Sequence, residues 1–579
     1  MLGTRSEQTG LYAADSQYLQ FVGEESFYGF LAREGRRIFR DDDFAGLYCV
    51  DNGRRSVPPS LLAMALLLQT HDRVSDEEAT ARADFDIRWK VALGIEVDTH
   101  PFAKSTLQLF RAQLVCHEEM QRVLGASLKY AKTLGYLPRG RRIRAALDTT
   151  HVLGRGAVLD TVNLIAEGIR VLSRMLAEAA ESEWSAWLEG HELSRYGAAS
   201  IKGAEAVDWD KPGKRNKFLN GVIADGERLL EIARQVRAEL EAGSDAAVRL
   251  QGAADLLTTL LWQDVESAAE GGYRIKKGTA RDRVPSAHDP EQRHGHKSHG
   301  KTFTGHKAGL AVDVESQLIT AVTVLAGNAA DGESAVALVT ATETNTGESV
   351  GQMIGDTAYG SMEVREALGE REVIAPTVKP SAPAGQISKA EFAIDVEAGL
   401  VRCPMGQETR TYVWVKASKD GPRVQRFAFA TETCRACPRF GECVRDKRRP
   451  GRCIILHPQE AALQAARAGE ETAGFREYYR DRVVVEHRIA RLAGLGMRQA
   501  KYVGRIKTEA QLVLAATVAN LTLIARRGPQ GESPSGAASP LCRLRRASQR
   551  LLTALRGLRA PAIAITRSGR PVTLGLATG

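Results

Sequence analysis

The pattern of apolar and polar residues predicts a mostly helical region over residues 1–133. Residues 60–69 (SLLAMALLLQ) follow a Val-Pro-Pro breaker and are apolar almost throughout, which predicts a buried helix. Ser75 and Glu78 have the spacing of a capping box, and Gly94 marks the predicted end of the helix that they open. Several short helices with short joints suit a small domain that binds DNA or forms a dimer.

Strand patterns begin after residue 140 and alternate with helical segments. Residues 141–147 predict a strand that ends at Asp148, and residues 350–355 predict a strand that ends at Asp356. Between them, residues 309–325 predict an antiparallel hairpin rich in β-branched residues. Strand, hairpin, helix and strand is the order of a mixed sheet of the RNase H type.

The predicted fold is an α/β catalytic core with an RNase H-like mixed sheet, preceded by an all-α domain and split by two insertions. The first insertion is helical, and the second is β-rich and contains four cysteines. The predicted domains are residues 1–133 (helical, for DNA binding or dimerisation), 141–160 (first core strand), 161–270 (helical insertion), 271–378 (core continued), 379–471 (cysteine-containing insertion), 472–527 (C-terminal core helices) and 528–579 (basic tail, predicted to be disordered).

Two carboxylates, Asp148 and Asp356, each follow a predicted core strand. For Asp148, the alternative is an aspartate that only caps a turn. If the two strands are neighbours, however, the two side chains face each other in the crevice at the strand ends. Hard oxygen ligands of this kind suit a divalent metal ion, so a metal site is a second hypothesis for the pair.

Positive charge is unevenly distributed along this chain of net charge +9. Residues 528–579 hold eight Arg against one Glu, and residues 271–307 hold nine Lys or Arg against three acids. Such zones favour a polyanion, most often nucleic acid, although ordinary solubilising charge is the alternative. Five of the twelve histidines also lie in residues 271–307, at no standard ligand spacing, which favours a flexible loop that contacts phosphates over a metal site.

Four of the eight cysteines form a group, namely Cys403, Cys434, Cys437 and Cys443. Four cysteines that include a C-x-x-C pair predict a structural Zn²⁺ site with a closed tetrahedral shell. Free cysteines in a β-rich insertion are the alternative. The basic residues around them favour contact with a phosphate backbone; they are Lys416, Lys419, Arg423, Arg426, Arg435, Arg439, Arg445 and residues 447–449.

Membrane and secretion signals are absent from the predicted elements. The longest apolar run, residues 61–68, is too short to span a bilayer, and the first ten residues have no apolar signal-peptide core. An apolar content of 43% with 26% charged residues is that of a globular protein. The expected location is therefore the cytoplasm.

The segment Tyr478 to Leu492 (YYRDRVVVEHRIARL) is predicted to be one helix. Tyr479, Arg482 and Glu486 occur at i, i+3 and i+7, which places them on roughly one face. For an isolated glutamate, a solvated or ion-paired surface position is the simplest interpretation. A third carboxylate beside the two strand-end aspartates is the functional alternative.

These stretches together resemble the DDE transposases of bacterial insertion sequences, in the branch with a Y-x2-R-x3-E-x6-K signature. The resemblance rests on five stretches and on their order and spacing along the chain: SDEEATARADFDIRWKVALG, LDTTHVLGRGAV, GHKAGLAVDVESQLI, GDTAYG and YYRDRVVVEH. It implies that Asp148, Asp356 and Glu486 are the acidic triad, with Tyr479 and Arg482 beside it. Ala493 occupies the position of the signature lysine, and Lys501 or Arg498 is a candidate to replace its DNA contact.

The resemblance also implies the chemistry. The expected cofactor is Mg²⁺ or Mn²⁺, with Asp148 bridging two ions and the other two carboxylates each holding one. The expected partners are double-stranded DNA, as element ends and target, and a second copy of the chain in a dimer or higher oligomer. The expected reaction is phosphodiester hydrolysis at element ends, followed by strand transfer, in the bacterial cytoplasm at the nucleoid. Two alternatives remain: a catalytically silent DNA-binding descendant, and a metal-dependent nuclease without strand transfer.

Overall fold

The computed structural model describes residues 1–5, 13–204, 207, 210–269, 271–298, 300–417, 421–444 and 451–529. The predictions for the tail after residue 529 lie outside these residues, as do the predicted phosphate contacts of Lys419, Arg445 and residues 447–449. The described part up to Gly528 forms one compact unit.

The N-terminal region is helical, as the sequence predicts. Its helices are α1 (Ala14–Val22), α2 (Phe27–Ile38), α3 (Pro59–Asp72), α4 (Asp76–Phe85), α5 (Ile87–Leu93), α6 (Lys104–Cys116) and α7 (Met120–Thr133). Helix α3 is buried on nearly every side, which explains its apolar sequence. It lies in the main hydrophobic core together with the sheet and the C-terminal helices.

Two local predictions in this region are wrong in detail. The capping box is only half formed, because Ser75 accepts a hydrogen bond from the Glu78 backbone N–H (3.1 Å) while the Glu78 carboxylate pairs with Arg82. The helix predicted to run to Gly94 is interrupted at Asp86. The Asp86 side chain accepts a hydrogen bond from the Arg88 backbone N–H (2.9 Å) and so caps a new helix, α5, which ends at Gly94 with φ of 60°.

A mixed six-stranded sheet forms the centre of the molecule. Its strands are β1 (Ile143–Leu153), β4 (Arg293–Ser298), β5 (Lys301–Asp313), β6 (Ile319–Ala326), β7 (Val350–Ile354) and β8 (Glu372–Ile374). The spatial order is β4-β5-β1-β7-β8, with β6 also paired to β5. Strand β1 is antiparallel to β5 and parallel to β7, and β7 is parallel to β8.

The predicted hairpin is confirmed as the antiparallel pair β5 and β6. The segment 271–307 is not the flexible loop that its composition suggested. It contains a short strand, β3 (Tyr273–Ile275), all of β4 and the first half of β5. Strand β3 pairs with β2 (Val265–Ser267), and β4 pairs with the first residues of β5.

Helices cover both faces of the sheet. On one face, α13 (Ala335–Thr346) packs over Ala145 and Leu147 of β1, and the short α14 (Met362–Leu368) follows β7. On the other face, Ala146 and Val152 of β1 share the main core with α19 (Val483–Gly494) and α20 (Arg505–Arg527). Because side chains alternate along a strand, Asp148 lies on the same face as Ala146. That face is the one that α19 crosses.

Each insertion has a hydrophobic cluster of its own. The first contains α8 (Thr161–Ala179), α9 (Trp184–Gly190), α10 (Ile201–Ala204), α11 (Pro212–Glu239) and α12 (Asp245–Gln263). The second contains β9 (Ala393–Asp395), β10 (Leu400–Arg402), β11 (Glu408–Thr409), β12 (Tyr412–Lys416), β13 (Arg423–Ala428), α15 (Thr431–Arg435), α16 (Phe440–Cys443) and β14 (Cys453–Ile455). Two more helices, α17 (Glu460–Glu470) and α18 (Ala473–Arg480), lead from it to α19.

Helix α20 is the one described helix that is long and apolar enough to cross a membrane, and 83% of its apolar window is buried inside the protein. It packs against β6, α3 and α7. The buried Asn520 both accepts from and donates to the backbone of Ile319 in β6, at 2.8 Å each. A helix bonded in this way to a strand is part of the core, and its apolar sequence follows from that burial.

Candidate active site

The three carboxylates singled out from the sequence line one cleft of about 350 Å³ on the sheet. They come from three distant parts of the chain: Asp148 from β1, Asp356 from the turn after β7, and Glu486 from the first turn of α19. Arg482, just before α19, lines the same cleft.

Asp148 lies within β1 and not at its end, so the predicted strand boundary is wrong. The strand continues to Leu153 because β5 pairs with it from Ala145 through Leu153, which lies opposite Gly305. Strand β7, in contrast, ends at Ile354, which is paired with Ala146. Extending this parallel register by two residues on each chain brings Asp148 level with Asp356. The two aspartates therefore meet where β7 stops and β1 continues.

The sequence Gly355-Asp356-Thr-Ala-Tyr359-Gly360 builds the turn that carries the second aspartate. The Asp356 side chain caps the turn by accepting from the Ala358 backbone N–H (2.9 Å). Tyr359 is fully buried beneath it. A Cβ at position 355 would lie 2.7 Å from the Cβ of Tyr359, and one at position 360 would lie 2.0 Å from the Pro376 carbonyl oxygen. Both glycines are thus required by close approach of other chain segments.

The predicted single helix over residues 478–492 is two helices. It is interrupted at Asp481 and Arg482, where the backbone keeps right-handed helical angles but the bonds tighten to i→i+3, as from Val485 N–H to the Arg482 carbonyl (3.1 Å). This tight junction places the Arg482 side chain between two carboxylates. Its Nη1 donates to Asp148 Oδ2 (3.0 Å), and its Nη2 donates to Glu486 Oε1.

Tyr479 is not among the residues that line the cleft. It lies in α18, stacks on Phe475 with ring centroids 5.9 Å apart, and packs at the border of the main core. Its neighbour Tyr478 is the more exposed ring, and the Arg144 guanidinium lies 4.8 Å above that ring. The signature residues Arg482 and Glu486 are thus brought together, while Tyr479 supports the helix that precedes them.

Asp331 is a fourth carboxylate in the cleft, and no motif in the sequence singles it out. Lys307 of β5 donates to Asp331 Oδ1 (2.7 Å) and to the Ala329 carbonyl (2.8 Å), which fixes both side chains on the cleft wall. His151 and Lys297 line the cleft as well. The position of Asp331 depends on Lys307, which lies 24 residues earlier in the chain, and on the pairing of β5 with β1. The sequence alone does not reveal that pairing, so it does not place Asp331 in the cleft.

Several charged side chains, of both signs, lie near Asp148 in the cleft. Burial raises the pKa of Asp148 to about 6; the Thr149 N–H and Arg482 lower it, and the nearby Asp356 and Asp331 carboxylates raise it. Asp148 Oδ1 accepts from the Thr149 backbone N–H (2.8 Å), which holds the carboxylate in place. A second positive charge beside these carboxylates would relieve their repulsion and favour the ionised form of Asp148.

The donor set of the cleft fits a hard divalent cation, although in the described residues no three His, Cys, Asp or Glu side chains form a ready-made metal cage. Among these residues, neither Asp356 Oδ2 nor Glu486 Oε2 receives a hydrogen bond, so both oxygens are available to a ligand. Arg482 supplies the positive charge between Asp148 and Glu486. A divalent cation bound by Asp148 or Glu486 would have to compete with Arg482 for that carboxylate.

The residues proposed to replace the signature lysine lie in two different places. Ala493 is near the end of α19 and is half-buried. Arg498 lies near His151, which lines the cleft that holds the three carboxylates. Burial, Lys297 and Arg498 together lower the pKa of His151. Lys501 lines a second cleft beside the N-terminal helices.

The four grouped cysteines are among the residues that line one small cavity of about 40 Å³ in the second insertion, although no three of them form a ready-made metal cage. Cys403 begins a tight turn, in which the Gly406 N–H donates to the Cys403 carbonyl (2.9 Å), and Cys434 and Cys437 flank another turn (3.1 Å). The pKa of Cys443 is raised by burial and by the other three thiols, and lowered by Arg452. The structure thus brings together all four cysteines that the sequence grouped.

Two segments of the chain match known protein families. Residues 402–525, which include Glu486 and the four cysteines, match the family described as Transposase DDE domain. Residues 28–113, in the N-terminal helices, match the family described as Transposase domain (DUF772). Both matches support a DDE-type insertion-sequence transposase.

A transposase domain implies DNA as the substrate. Searches of curated proteins and of solved structures gave no match. Asp148 and Asp356 lie outside both matched segments, so neither match assigns them a role.

Proposed function

We propose that this transposase hydrolyses phosphodiester bonds at the ends of its insertion sequence and transfers the freed strands into target DNA. The observation that carries the proposal is the convergence of Asp148, Asp356 and Glu486, from three distant segments, on one cleft. The sheet supports an RNase H-like core. Five of its strands are, in chain order, β1, β5, β6, β7 and β8. Across the sheet they lie in the order β6-β5-β1-β7-β8, which is third, second, first, fourth and fifth along the chain, and β7 and β8 are parallel to β1.

In this proposal Asp148, Asp356 and Glu486 hold Mg²⁺ or Mn²⁺. When bound, the ions supply an activated water and a counter-charge for the phosphate. The chain keeps the ligands in place through the backbone N–H groups of Thr149 and Ala358. Lys307 neutralises Asp331, and the exposed Lys297 is available to a phosphate oxygen at the mouth of the cleft.

The reaction has two displacements at phosphorus. In the first, water attacks and the bond to the 3′ oxygen breaks, which leaves a 3′-hydroxyl and a 5′-phosphate. In the second, that 3′-hydroxyl attacks a target phosphodiester and displaces its 3′ oxygen. One phosphodiester is broken and one is formed, so the joining step needs no external energy source.

We also propose that Cys403, Cys434, Cys437 and Cys443 bind a structural Zn²⁺. Their shared cavity of about 40 Å³ supports this, because thiolates next to a single small cavity suit a closed tetrahedral site. The predicted domains keep their roles in the proposal: the helices of residues 1–133 bind DNA or a second copy, and two element ends are joined by a dimer or higher oligomer at the bacterial nucleoid.

Cleavage of DNA that carries the element ends tests the proposed reaction. With Mg²⁺, we expect the full chain to give 3′-hydroxyl ends and a joined product, and with EDTA neither. Asp148→Ala should give neither product while it still binds the DNA. Cleavage that survives Asp148→Ala contradicts the site, nicks without joining indicate a nuclease, and binding without cleavage in Mg²⁺ or Mn²⁺ indicates a silent DNA-binding protein.

A further inference from the structure

A second cleft, of about 310 Å³, lies between the N-terminal helices and the segment that follows α19. We call it the basic cleft. Four chain segments meet there: the junction of α3 and α4, helix α6, the stretch after β1, and the stretch from Leu495 into α20. Its charged lining residues are Arg73, Asp76, Arg111, Arg155 and Lys501.

The basic cleft has an excess of three positive charges, because its four cations face one carboxylate. Arg111 uses that carboxylate: its Nη2 lies 2.6 Å from Asp76 Oδ1 and also donates to Gln69 (2.8 Å). Among the described residues, Arg73, Arg155 and Lys501 have no carboxylate partner. Within the described part of the chain, the Arg73 guanidinium makes one hydrogen bond, a long one to the Gly494 carbonyl (3.5 Å).

The fold fixes the cations close to one another. Arg73 ends α3 in the left-handed conformation (φ 62°), and the Lys501 backbone N–H is held by Gln511 Oε1 (2.8 Å). Burial and the nearby Arg111 and Arg73 lower the pKa of Lys501. Like charges crowded in this way are stabilised by an anion placed between them.

The basic cleft is connected to the active site by a single strand. Strand β1 carries Asp148 and ends at Leu153, whose N–H donates to the Arg498 carbonyl (2.9 Å) and whose carbonyl accepts from Ala500 (2.8 Å). Arg155 follows the end of this strand in the sequence, and Lys501 follows Ala500 in the segment that is hydrogen-bonded to it. Asp148 and Leu153 are about 17 Å apart at ~3.3 Å per residue, a length that duplex DNA covers in about five base pairs.

We propose that the basic cleft binds a backbone phosphate of the duplex DNA whose scissile bond lies in the active-site cleft, through Arg73, Arg155 and Lys501. This assignment rests on the proposed function, which makes DNA the substrate. A phosphodiester carries the negative charge that the cleft lacks, and a continuous duplex reaches both clefts along β1.

The salt dependence of DNA binding tests the assignment. The probe is a fluorescein-labelled 40-bp duplex of arbitrary sequence, bound by the full chain in EDTA at several salt concentrations. Each lost phosphate contact lowers the slope of log Kd against log[salt] by about 0.9. For Arg155→Gln with Lys501→Gln, we expect a slope lower by about 2 and weaker binding by about tenfold at 0.1 M salt. Lys501→Arg should keep the wild-type slope.

The matched control is Arg234→Gln with Arg249→Gln, which removes two exposed cations from the helical insertion. It should leave the slope unchanged. A slope equal to wild type in the cleft variant, or an equal reduction in the control, overturns the assignment. If the double variant does not fold, the exposed Arg155→Gln alone should lower the slope by about 1. Binding in EDTA is independent of cleavage, so loss of catalysis in Mg²⁺ would affect only the proposed function.

Discussion

Replacing Asp356 with asparagine is expected to reduce metal-dependent DNA cleavage at least about 10³-fold, which corresponds to ~4 kcal/mol of transition-state stabilisation. The substitution removes one negative charge and one hard oxygen ligand and leaves the size of the side chain unchanged. It should also leave the fold intact, because Asn caps a turn as well as Asp does and can still accept from the Ala358 N–H. The measurement is a single-turnover cleavage rate in Mg²⁺ beside a thermal midpoint.

Asp160→Asn is the matched control for this prediction. Asp160 is also an N-cap, accepting from the Val162 and Asn163 N–H groups at the start of α8, but it lies outside the cleft. We expect it to keep the wild-type cleavage rate. An Asp356→Asn protein that cleaves at wild-type rate would remove Asp356 from the active site, and a control that loses activity equally would show that the loss comes from the fold.

Zinc removal is expected to have the second large effect. Purified protein should contain one zinc per chain by elemental analysis, and Cys434→Ser with Cys437→Ser should contain none. Structural zinc contributes about 10–16 kcal/mol in small isolated domains, and the cluster of Phe392, Phe427 and Phe429 here is small. We therefore expect residues 387–456 to become rapidly cleaved by protease in the variant, while the core sheet stays resistant.

Cys453→Ser provides the control, because Cys453 is an exposed thiol in β14 and does not line the cysteine cavity. It should retain zinc and protease resistance. Wild-type protein without zinc that is nevertheless resistant to protease in this segment would mean that the four thiols are simply packed against the hydrophobic cluster.

Much of the candidate site was predictable because each residue has a local signal. Asp356 follows a predicted strand and Gly355, and Glu486 follows an apolar run. The hairpin of β5 and β6 was also predictable, from two runs rich in β-branched residues. The boundary of β1 was not, because pairing with β5 extends the strand through the polar residues Asp148 to His151. Tertiary pairing here overrides local sequence preference.

Side-chain pairings between distant segments could not be predicted. The bridge from Arg482 to Asp148 depends on the tightened turn before α19, which has a sequence compatible with a continuous helix. Asp331 lines the cleft, where its carboxylate accepts a hydrogen bond from Lys307. The basic cleft likewise combines residues from four segments, none of which carries a recognisable motif.

The most direct test of the central claim, that Asp148, Asp356 and Glu486 together hold the catalytic metal, is iron-directed cleavage of the protein itself. Fe²⁺ takes oxygen ligands in place of Mg²⁺, and with ascorbate and peroxide it cuts the polypeptide near where it binds. Mass spectrometry should find cuts beside all three residues, suppressed by excess Mg²⁺ and lost in Asp356→Asn. Cuts confined to other segments, or at only one of the three and insensitive to Mg²⁺, would contradict a shared metal site.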